Sequence, residues 1–286
     1  MPPLVPPESA GGARGRVRVN AGDYELVRFS ESRRATMDTG RLGRDRHYMF
    51  ALLEVDVTRA RRELRQLRRS GLAISFTAWM VKVIGDAVAA DPMVHASAYG
   101  RNQLVLFRDV DIAVPVEREV SEGTAPLPLL ITATNRKSMQ EIDREIQAGV
   151  HRNVADERDF ILSPHAFSRW VLRLYYRLPQ ALRVLALRGL VADPFRARRH
   201  SGTVTVTTVN AIGSAAAWIL PTRSWHNLFF ALGTITRKPW VVDNRVEVRE
   251  ILNLTAGFNH DVVDGAPARR FMQQMVRRVE GGVRAD

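Results

Sequence analysis

The feature that most constrains the fold is an alternation of valine and threonine within residues 202–210, GTVTVTTVN. A period of two places each residue type on its own face of a strand, so the segment predicts a β-strand with one polar face. Residues 225–260 contain three more strand-like runs, with Asp243 and Asn244 between two of them as a hairpin turn. The chain then ends in a helix-like segment that begins near Ala266. The late part of the chain is therefore expected to supply consecutive strands of a sheet.

Strands and helices alternate in the first half. Thr58 is suited to cap a charged helix, and Ser138 with Glu141 forms the S-x-x-E capping box of an amphipathic helix. The other expected elements are a strand at 48–58, a charged helix closed by Gly71, a helix at 74–92 stopped by Asp91 and Pro92, and a strand pair or one long bent strand at 104–117.

Helices that are separated along the chain, combined with mostly consecutive late strands, indicate an α+β fold with two layers. Residues 1–20 are rich in proline, glycine and small residues, so we expect a flexible tail there. Residues 21–286 are expected to form a single domain. It would carry a basic helical insertion at about residues 160–200.

The chain is strongly basic, with 42 Lys and Arg against 30 Asp and Glu in 286 residues, a net charge of +12. This balance favours a polyanionic partner. Zinc-finger spacing, RNP aromatics and basic-zipper heptads are absent from the sequence, so we predict no nucleic-acid partner. Coenzyme A phosphates, an acidic carrier protein and an anionic membrane remain alternatives. Arginine usage in a GC-rich genome would also explain the charge, without any function.

Cysteine is absent, which excludes disulfides, thiol nucleophiles and thiolate metal sites. The seven histidines are scattered, so no metal site is expected. The sequence contains neither an apolar run long enough to span a membrane nor a secretory apolar core. We therefore expect a cytoplasmic protein.

The basic insertion has helical periodicity. Arg169, Arg173 and Arg177 recur every four residues beside Trp, Leu and Tyr, and Pro179 is expected to break the helix. One interpretation is a surface helix whose apolar face covers the core. The other is a platform for a membrane surface or an acidic protein.

The segment FNHDVVDG carries the candidate chemistry. His260 ends a strand-like run just before a turn and a helix, a position that favours exposure in a cleft. Imidazole titrates at about pH 6.5 and can act as a general base at neutral pH. Asp264 is placed to fix the local geometry, and Gly265 would permit a tight turn or a close backbone approach. A histidine and an aspartate at this spacing are, by themselves, more often structural.

Several segments resemble one family. LTAGFNHDVVDGAPARRF is similar to the LTLSFDHRVVDGADAARF-type signature of 2-oxoacid dehydrogenase acyltransferase catalytic domains, which are related to chloramphenicol acetyltransferase. GTVTVTTVNAIGS resembles the family segment GTFTISNLGMFG, and RKPWVVDNRVEVREILNLT resembles RKRPVVVDGEIVVRPMMTLT. The resemblance covers roughly residues 30–155 and 200–282. It implies a chloramphenicol acetyltransferase-like sandwich, a mixed sheet packed by helices, that assembles as a trimer.

The resemblance also implies roles for individual residues. His260 would be the general base, and the Thr207 hydroxyl would stabilise the oxyanion, with Thr208 as the neighbouring candidate. Asp264 would be mainly structural and would pair with Arg33 or Arg34. The site would lie between subunits of a homotrimer, with coenzyme A or acyl-CoA as a substrate.

Departures from the family pattern leave the substrate open. A lipoyl domain with its attachment lysine is not recognisable, and Asn259 and Asp261 stand where the family usually has Asp and Arg. We favour an acyltransferase that moves an acyl group between a thioester, on coenzyme A or a carrier, and a thiol, amine or hydroxyl acceptor. The alternative is a core subunit of a 2-oxoacid dehydrogenase complex that transfers acyl groups from dihydrolipoyl to coenzyme A, served by a lipoyl domain on another chain. A non-catalytic trimeric scaffold is the second alternative.

Overall fold

The structure is a computed structural model that describes residues 19–20, 25–26, 29–120, 123–151, 168–209, 215–221 and 224–283. The expected tail thus lies outside the described residues except for its last two. The helices are α1 (Glu31–Leu42), α2 (Thr58–Arg69), α3 (Phe76–Ala90), α4 (Met139–His151), α5 (Arg169–Arg177), α6 (Gln180–Ala192), α7 (Pro194–Ser201) and α8 (Gly265–Glu280). The strands are β1 (Val19–Asn20), β2 (Glu25–Leu26), β3 (Tyr48–Asp56), β4 (Ser97–Tyr99), β5 (Gln103–Val105), β6 (Ile112–Val120), β7 (Gly123–Ile131), β8 (Val204–Thr208), β9 (Leu228–Val242) and β10 (Arg245–Asn259).

Six strands form one mixed sheet in the order β3-β10-β9-β8-β6-β7. Strand β10 is antiparallel to both β3 and β9, and β7 is antiparallel to β6. Strand β8 runs parallel to both of its neighbours, β9 and β6. The predicted α+β fold, a mixed sheet packed by helices, is confirmed.

The late strands differ from the prediction in number. Residues 225–260 form two long strands rather than three, joined by the predicted hairpin turn at Asp243 and Asn244, whose φ angles are 47° and 60°. Positive φ at both residues is typical of the tight turns that match strand twist. Pro239 does not interrupt β9, because β8 stops opposite Leu232 and, among the described residues, β9 pairs there with β10 alone. The hairpin tip therefore extends past the sheet as an arm.

Aromatic packing places helix α8 against the end of β10. Phe271 of α8 is fully buried, with its ring centre 6.0 Å from that of Phe258 and 6.3 Å from that of Phe230. Trp79 of α3 is buried in the same cluster. Because Phe258 is two residues before His260, this contact fixes where the candidate histidine leaves the sheet.

The helix starts agree only in part with the prediction. The Ser138 and Glu141 capping box is confirmed, since the Glu141 carboxylate accepts from the Ser138 backbone N–H at 2.8 Å. The proposed cap at Thr58 is wrong. Thr58 lies inside the first turn, and its N–H donates to the Asp56 carboxylate at 2.8 Å. Its hydroxyl instead accepts from the Glu250 N–H of β10.

The remaining expectations concern the middle of the chain. Residues 104–117 contribute to two separate strands, β5 and β6, which lie in different sheets. The predicted helix with a break near Pro179 is confirmed as α5 and α6. No helix among the described residues is both long enough and apolar enough to cross a membrane.

Two buried histidines hold chain segments against the sheet. The Nε2 atom of His226 lies 2.9 Å from the Ser201 carbonyl oxygen, which can only accept, so Nε2 carries the proton. The Nδ1 atom then accepts from the Thr205 hydroxyl at 2.7 Å. His95 Nε2 lies 3.2 Å from the Phe107 carbonyl oxygen. Burial lowers the pKa of each histidine to about 4.

These pKa values predict a loss of stability in mild acid. The pKa of each histidine is lower in the folded protein than in the unfolded chain. Its contribution is therefore fully present above about pH 6.5 and is lost as the pH falls toward 4. Between pH 7.5 and pH 5 we expect each histidine to lower the free energy of unfolding by about 2 kcal/mol. In urea titrations at both pH values, His226→Gln should remove about half of this combined loss.

The matched control is His151→Gln, at the exposed end of α4. It should leave the pH dependence of the unfolding free energy unchanged. An equal dependence in the wild type and in His226→Gln would contradict the assignment of a neutral, buried imidazole at position 226.

Candidate active site

His260 occupies the first position after β10, in the turn that leads into α8. Its backbone N–H donates to the His47 carbonyl oxygen at 2.7 Å, and the Val263 N–H donates to the Asn259 carbonyl oxygen at 3.0 Å. The side chain is 48% exposed. Within the described residues no acceptor or donor lies within hydrogen-bond distance of its ring. The backbone is therefore fixed while the imidazole stays available for proton transfer.

A buried amide network holds this turn. Asn259 is fully buried, and its side chain donates to the Asn227 Oδ1 atom at 3.0 Å. The same oxygen accepts from Arg46 at 2.9 Å, while Asn227 Nδ2 donates to the Ala96 carbonyl oxygen at 2.6 Å. Asn259 Oδ1 also accepts from the Asp261 N–H. Asn259 is thus a structural part of the site.

His47 supports the turn from the other side. Its Nδ1 atom lies 2.8 Å from the Asp261 carboxylate, and its backbone carbonyl binds His260 as described above. Tyr48, the next residue, directs its hydroxyl at the carbonyl oxygens of Ser224 and His226, at 2.9 and 2.6 Å. Burial is the main cause that raises the pKa of Tyr48 to about 12, so the hydroxyl remains a donor.

Sequence reasoning missed Arg46, His47 and Asn227 as supports of the turn. These residues lie far from His260 along the chain, and no local motif marks them. The departures from the family pattern at Asn259 and Asp261 were the available signal. The Asn259 side chain binds Asn227, and the Asp261 carboxylate binds His47.

The structure changes two expectations about the loop. The carboxylate of Asp264 is 84% exposed and lies 3.8 Å from His260 Nδ1, beyond hydrogen-bond distance. Its expected ion pair with Arg33 or Arg34 is not formed among the described residues. Arg34 instead donates to the Tyr176 carbonyl oxygen at 2.9 Å and lies over the Tyr176 ring, and the Arg33 backbone N–H binds the Ser30 cap. The reason is that α1 packs on α6, which draws Arg34 toward α5.

Gly265 shows no local need for glycine. A Cβ atom at this position would meet nothing within 4 Å, and Gly265 is not among the glycines with positive φ. The expected tight turn or close approach is therefore wrong within one chain. Gly265 begins a groove of about 590 Å³ between α8 and the edge strand β3, lined by Met49, Phe258, Met272, Val276 and two cations, Arg269 and Arg277, among others. This groove offers apolar contacts together with charges that suit a phosphate-bearing molecule.

The two threonines lie far from His260 in the same chain. In the strand register, Thr207 of β8 pairs with Ala231 of β9, and Ala231 pairs with Thr255 of β10. Thr208 pairs with Leu232 of β9. Five residues of strand, roughly 17 Å, and two strand spacings, roughly 10 Å in total, therefore separate Thr207 from His260. The structure does not bring these predicted site residues together within one chain.

Across the part of the chain that the structure describes, no three His, Asp or Glu side chains are grouped closely enough to hold a metal ion. The His260 imidazole is the side chain of this turn that is placed to transfer a proton.

Comparisons with known proteins agree on one family. Residues 197–284 match the family model for the 2-oxoacid dehydrogenases acyltransferase (catalytic domain). The chain is 24% identical over 237 residues to the dihydrolipoyllysine-residue acetyltransferase component of the pyruvate dehydrogenase complex of Zymomonas mobilis, covering 82% of this chain and 44% of the relative. It is 21% identical over 266 residues to the lipoamide acyltransferase component of the branched-chain alpha-keto acid dehydrogenase complex of Bacillus subtilis, covering 91% and 53%. The chain spans about half the length of these curated relatives.

The solved structures agree at the level of the fold. The dihydrolipoamide acetyltransferase of Azotobacter vinelandii superposes with a TM-score of 0.64 at 16% identity, covering 98% of this chain and 97% of that chain. The chain therefore has the catalytic-domain fold of the 2-oxoacid dehydrogenase acyltransferases, and the resemblance that its sequence motifs indicate is confirmed.

Proposed function

We propose that the chain is an acyltransferase, with residues 21–286 as one catalytic domain. It would move an acyl group between a thioester, of coenzyme A or a carrier, and a thiol, amine or hydroxyl acceptor. The observation that carries this proposal is the half-exposed His260, whose backbone is anchored by Asn259 and His47 while its ring lacks a hydrogen-bond partner in the described residues. A rigid backbone with a free imidazole is what general-base catalysis needs.

The reaction would proceed by direct transfer. His260 removes the proton from the acceptor, which attacks the thioester carbonyl carbon and forms a tetrahedral intermediate. The Thr207 hydroxyl donates a hydrogen bond to the oxyanion, where negative charge develops. The intermediate then releases the thiolate, which recovers the proton from His260.

The separation of His260 and Thr207 supports a site shared between subunits. Because roughly 17 Å along the strands divides them in one chain, the transferred carbonyl would meet His260 of one subunit and Thr207 of its neighbour. The hairpin arm supports assembly, since its valines at 241, 246 and 248 are largely exposed. We therefore keep the homotrimer as part of the proposal, with Thr208 as the second candidate donor.

The relatives favour a specific alternative. Both are acyltransferase components of dehydrogenase complexes, and the names of both components mention lipoyl groups. In the Azotobacter vinelandii enzyme, the roles of a serine, a histidine and an asparagine in the mechanism have been investigated. This chain could serve such a complex by transferring acyl groups from dihydrolipoyl to coenzyme A, with the lipoyl domain on another chain. A cytoplasmic location fits both versions and remains a prediction.

Removal of the imidazole tests catalysis directly. His260→Ala should lower kcat by about 10² to 10⁴, the usual contribution of a general base. Steady-state release of free coenzyme A from acetyl-CoA and branched acyl-CoAs gives the measurement. His151→Ala, an exposed histidine on α4, is the control and should retain full turnover. Unchanged turnover in His260→Ala would contradict the role of His260 as general base, whereas no turnover in the wild type would favour the non-catalytic scaffold.

Mixed oligomers test whether the site is shared. We expect His260→Ala and Thr207→Ala each to be nearly inactive alone. Co-expressed with two different tags, they should form hybrid trimers that regain about one third of wild-type turnover, because one interface of three in each hybrid pairs an intact His260 with an intact Thr207. Thr207→Ser should retain most activity, since it keeps the hydroxyl.

The control hybrid combines His260→Ala with the double variant that lacks both groups, and it should stay inactive. Native mass spectrometry that shows hybrids without recovery of activity would rule out the shared site. Monomers at micromolar concentration would rule out the trimer.

Acceptor preference separates the main proposal from its alternative. Offered acetyl-CoA with dihydrolipoamide or with a panel of amines and alcohols, the protein should acylate at least one amine or alcohol faster than dihydrolipoamide. Fast transfer to dihydrolipoamide alone would establish the dehydrogenase-complex alternative instead.

A further inference from the structure

Helices α5 and α6 present an outward surface that combines large apolar side chains with cations. We call this surface the α5–α6 face and define it by Trp170, Arg173, Leu174, Arg177, Leu182 and Leu185. Trp170 is 68% exposed, Leu174 is 55% exposed and Leu185 is 63% exposed. A grouping of exposed apolar side chains on successive helices marks an interaction surface.

The inward side of the two helices explains why this face is turned outward. Arg183 is buried and donates to the Asp38 carboxylate of α1 at 2.7 and 3.1 Å. Tyr175 and Gln180 donate to the same carboxylate at 3.0 and 3.1 Å. Four donors on one buried carboxylate set the rotation of both helices about their axes. The neutral side chains of Tyr175 and Gln180 thereby make their hydrogen bonds on the inward side.

The polar groups left on the outside are arginines. Residues 160–192 contain no aspartate or glutamate and five arginines. Arg173 and Arg177 are exposed, and within the described part of the chain neither guanidinium has a carboxylate or hydrogen-bond partner. On a helix, Trp170 and these arginines share one side because they are three or four residues apart.

We propose that the α5–α6 face docks on the surface of an anionic lipid bilayer. Tryptophan and leucine side chains enter the boundary between headgroups and acyl chains, where Trp is favoured, and guanidinium groups bind lipid phosphates. A folded protein partner is recognised through a hydrogen bond every 100–200 Å² or so, with varied donors and acceptors. This face offers guanidinium groups and one indole N–H as donors, has no carboxylate, and is otherwise apolar, which suits phosphates and acyl chains better.

Helix α2 provides an internal comparison. Its sequence, TRARRELRQLRR, is even richer in arginine, but none of its large apolar side chains is strongly exposed. If charge alone brought the protein to a bilayer, α2 would serve equally well. If the combination is required, only the α5–α6 face will bind.

Vesicle sedimentation tests the proposal with the 286-residue chain. It should pellet with vesicles of phosphatidylcholine mixed with phosphatidylglycerol at low salt, and much less with phosphatidylcholine alone or at about 0.5 M salt. Arg173→Ala with Arg177→Ala should weaken binding about 30-fold, since each arginine near an anionic surface contributes about fivefold. The matched control is Arg68→Ala with Arg69→Ala on α2, which removes the same charge and should change binding less than threefold.

Trp170 reports whether the apolar side chains enter the bilayer. Lipids brominated on the acyl chains should quench part of the tryptophan fluorescence of the wild type, and Trp170→Phe should abolish most of this quenching. Leu182→Gln with Leu185→Gln should weaken sedimentation at least tenfold while the thermal unfolding midpoint stays close to that of the wild type.

Three results would overturn the proposal. The first is failure to bind either vesicle, which an acidic protein partner predicts. The second is equal weakening by the α2 control, which would mean non-specific attraction of a basic protein. The third is a smaller oligomer for the leucine variant in sedimentation velocity, which would show that a second copy covers the face. None of these results bears on turnover of soluble thioesters, so they are separable from the acyltransferase proposal.

Discussion

The side-chain amide of Asn227 is the contact on which the candidate site depends. It joins three distant segments, because its oxygen accepts from Arg46 and Asn259 and its nitrogen donates to the Ala96 carbonyl oxygen. Buried polar groups are costly unless every donor and acceptor is satisfied, so this arrangement tolerates little displacement. The turn that carries His260 is fixed through Asn259. The imidazole can therefore remain without a hydrogen-bond partner of its own in the described residues and still occupy a defined position.

A second buried polar contact plays the same part between α1 and the helices α5 and α6. Asp38 of α1 accepts from Tyr175, Gln180 and Arg183, and so it holds α5 and α6 against α1. The charge pair is fully enclosed, and removal of one partner would leave an uncompensated charge. Because Tyr175, Gln180 and Arg183 bind Asp38 on the inner side of the helices, leucine, tryptophan and other arginine side chains lie on the outer side. One carboxylate thus accounts both for the packing of the insertion and for the composition of its outer face.

The sheet register sets the limits of chemistry within one chain. His260 follows the end of β10, whereas Thr207 lies on β8 at the level of Thr255, well inside the sheet. Strands are stiff over this length, so side-chain motion cannot close the gap. Any reaction that uses both groups requires a second copy of the chain, and this is why assembly and catalysis are parts of a single proposal.

The sequence by itself determined the periodic elements. The Val and Thr alternation gave β8, the Ser138 and Glu141 pair gave the start of α4, Pro179 divided α5 from α6, and Asp243 with Asn244 gave the hairpin turn. These features depend on residues close together in the chain, and local backbone preferences suffice to predict them. The position of His260 at a strand end was predictable for the same reason.

Only the tertiary structure decided which distant residues contact one another. Asp56 rather than Thr58 receives the first N–H of α2, Arg34 binds Tyr176 rather than Asp264, and Pro239 sits within a continuous strand. Asn227, Arg46 and His47 support the His260 turn although nothing near them in the sequence marks that role. Each of these contacts joins residues distant in the chain or depends on which strand lies alongside. Such contacts are set by how whole helices and strands pack together. Periodicity and spacing within one segment of the sequence carry no information about that packing.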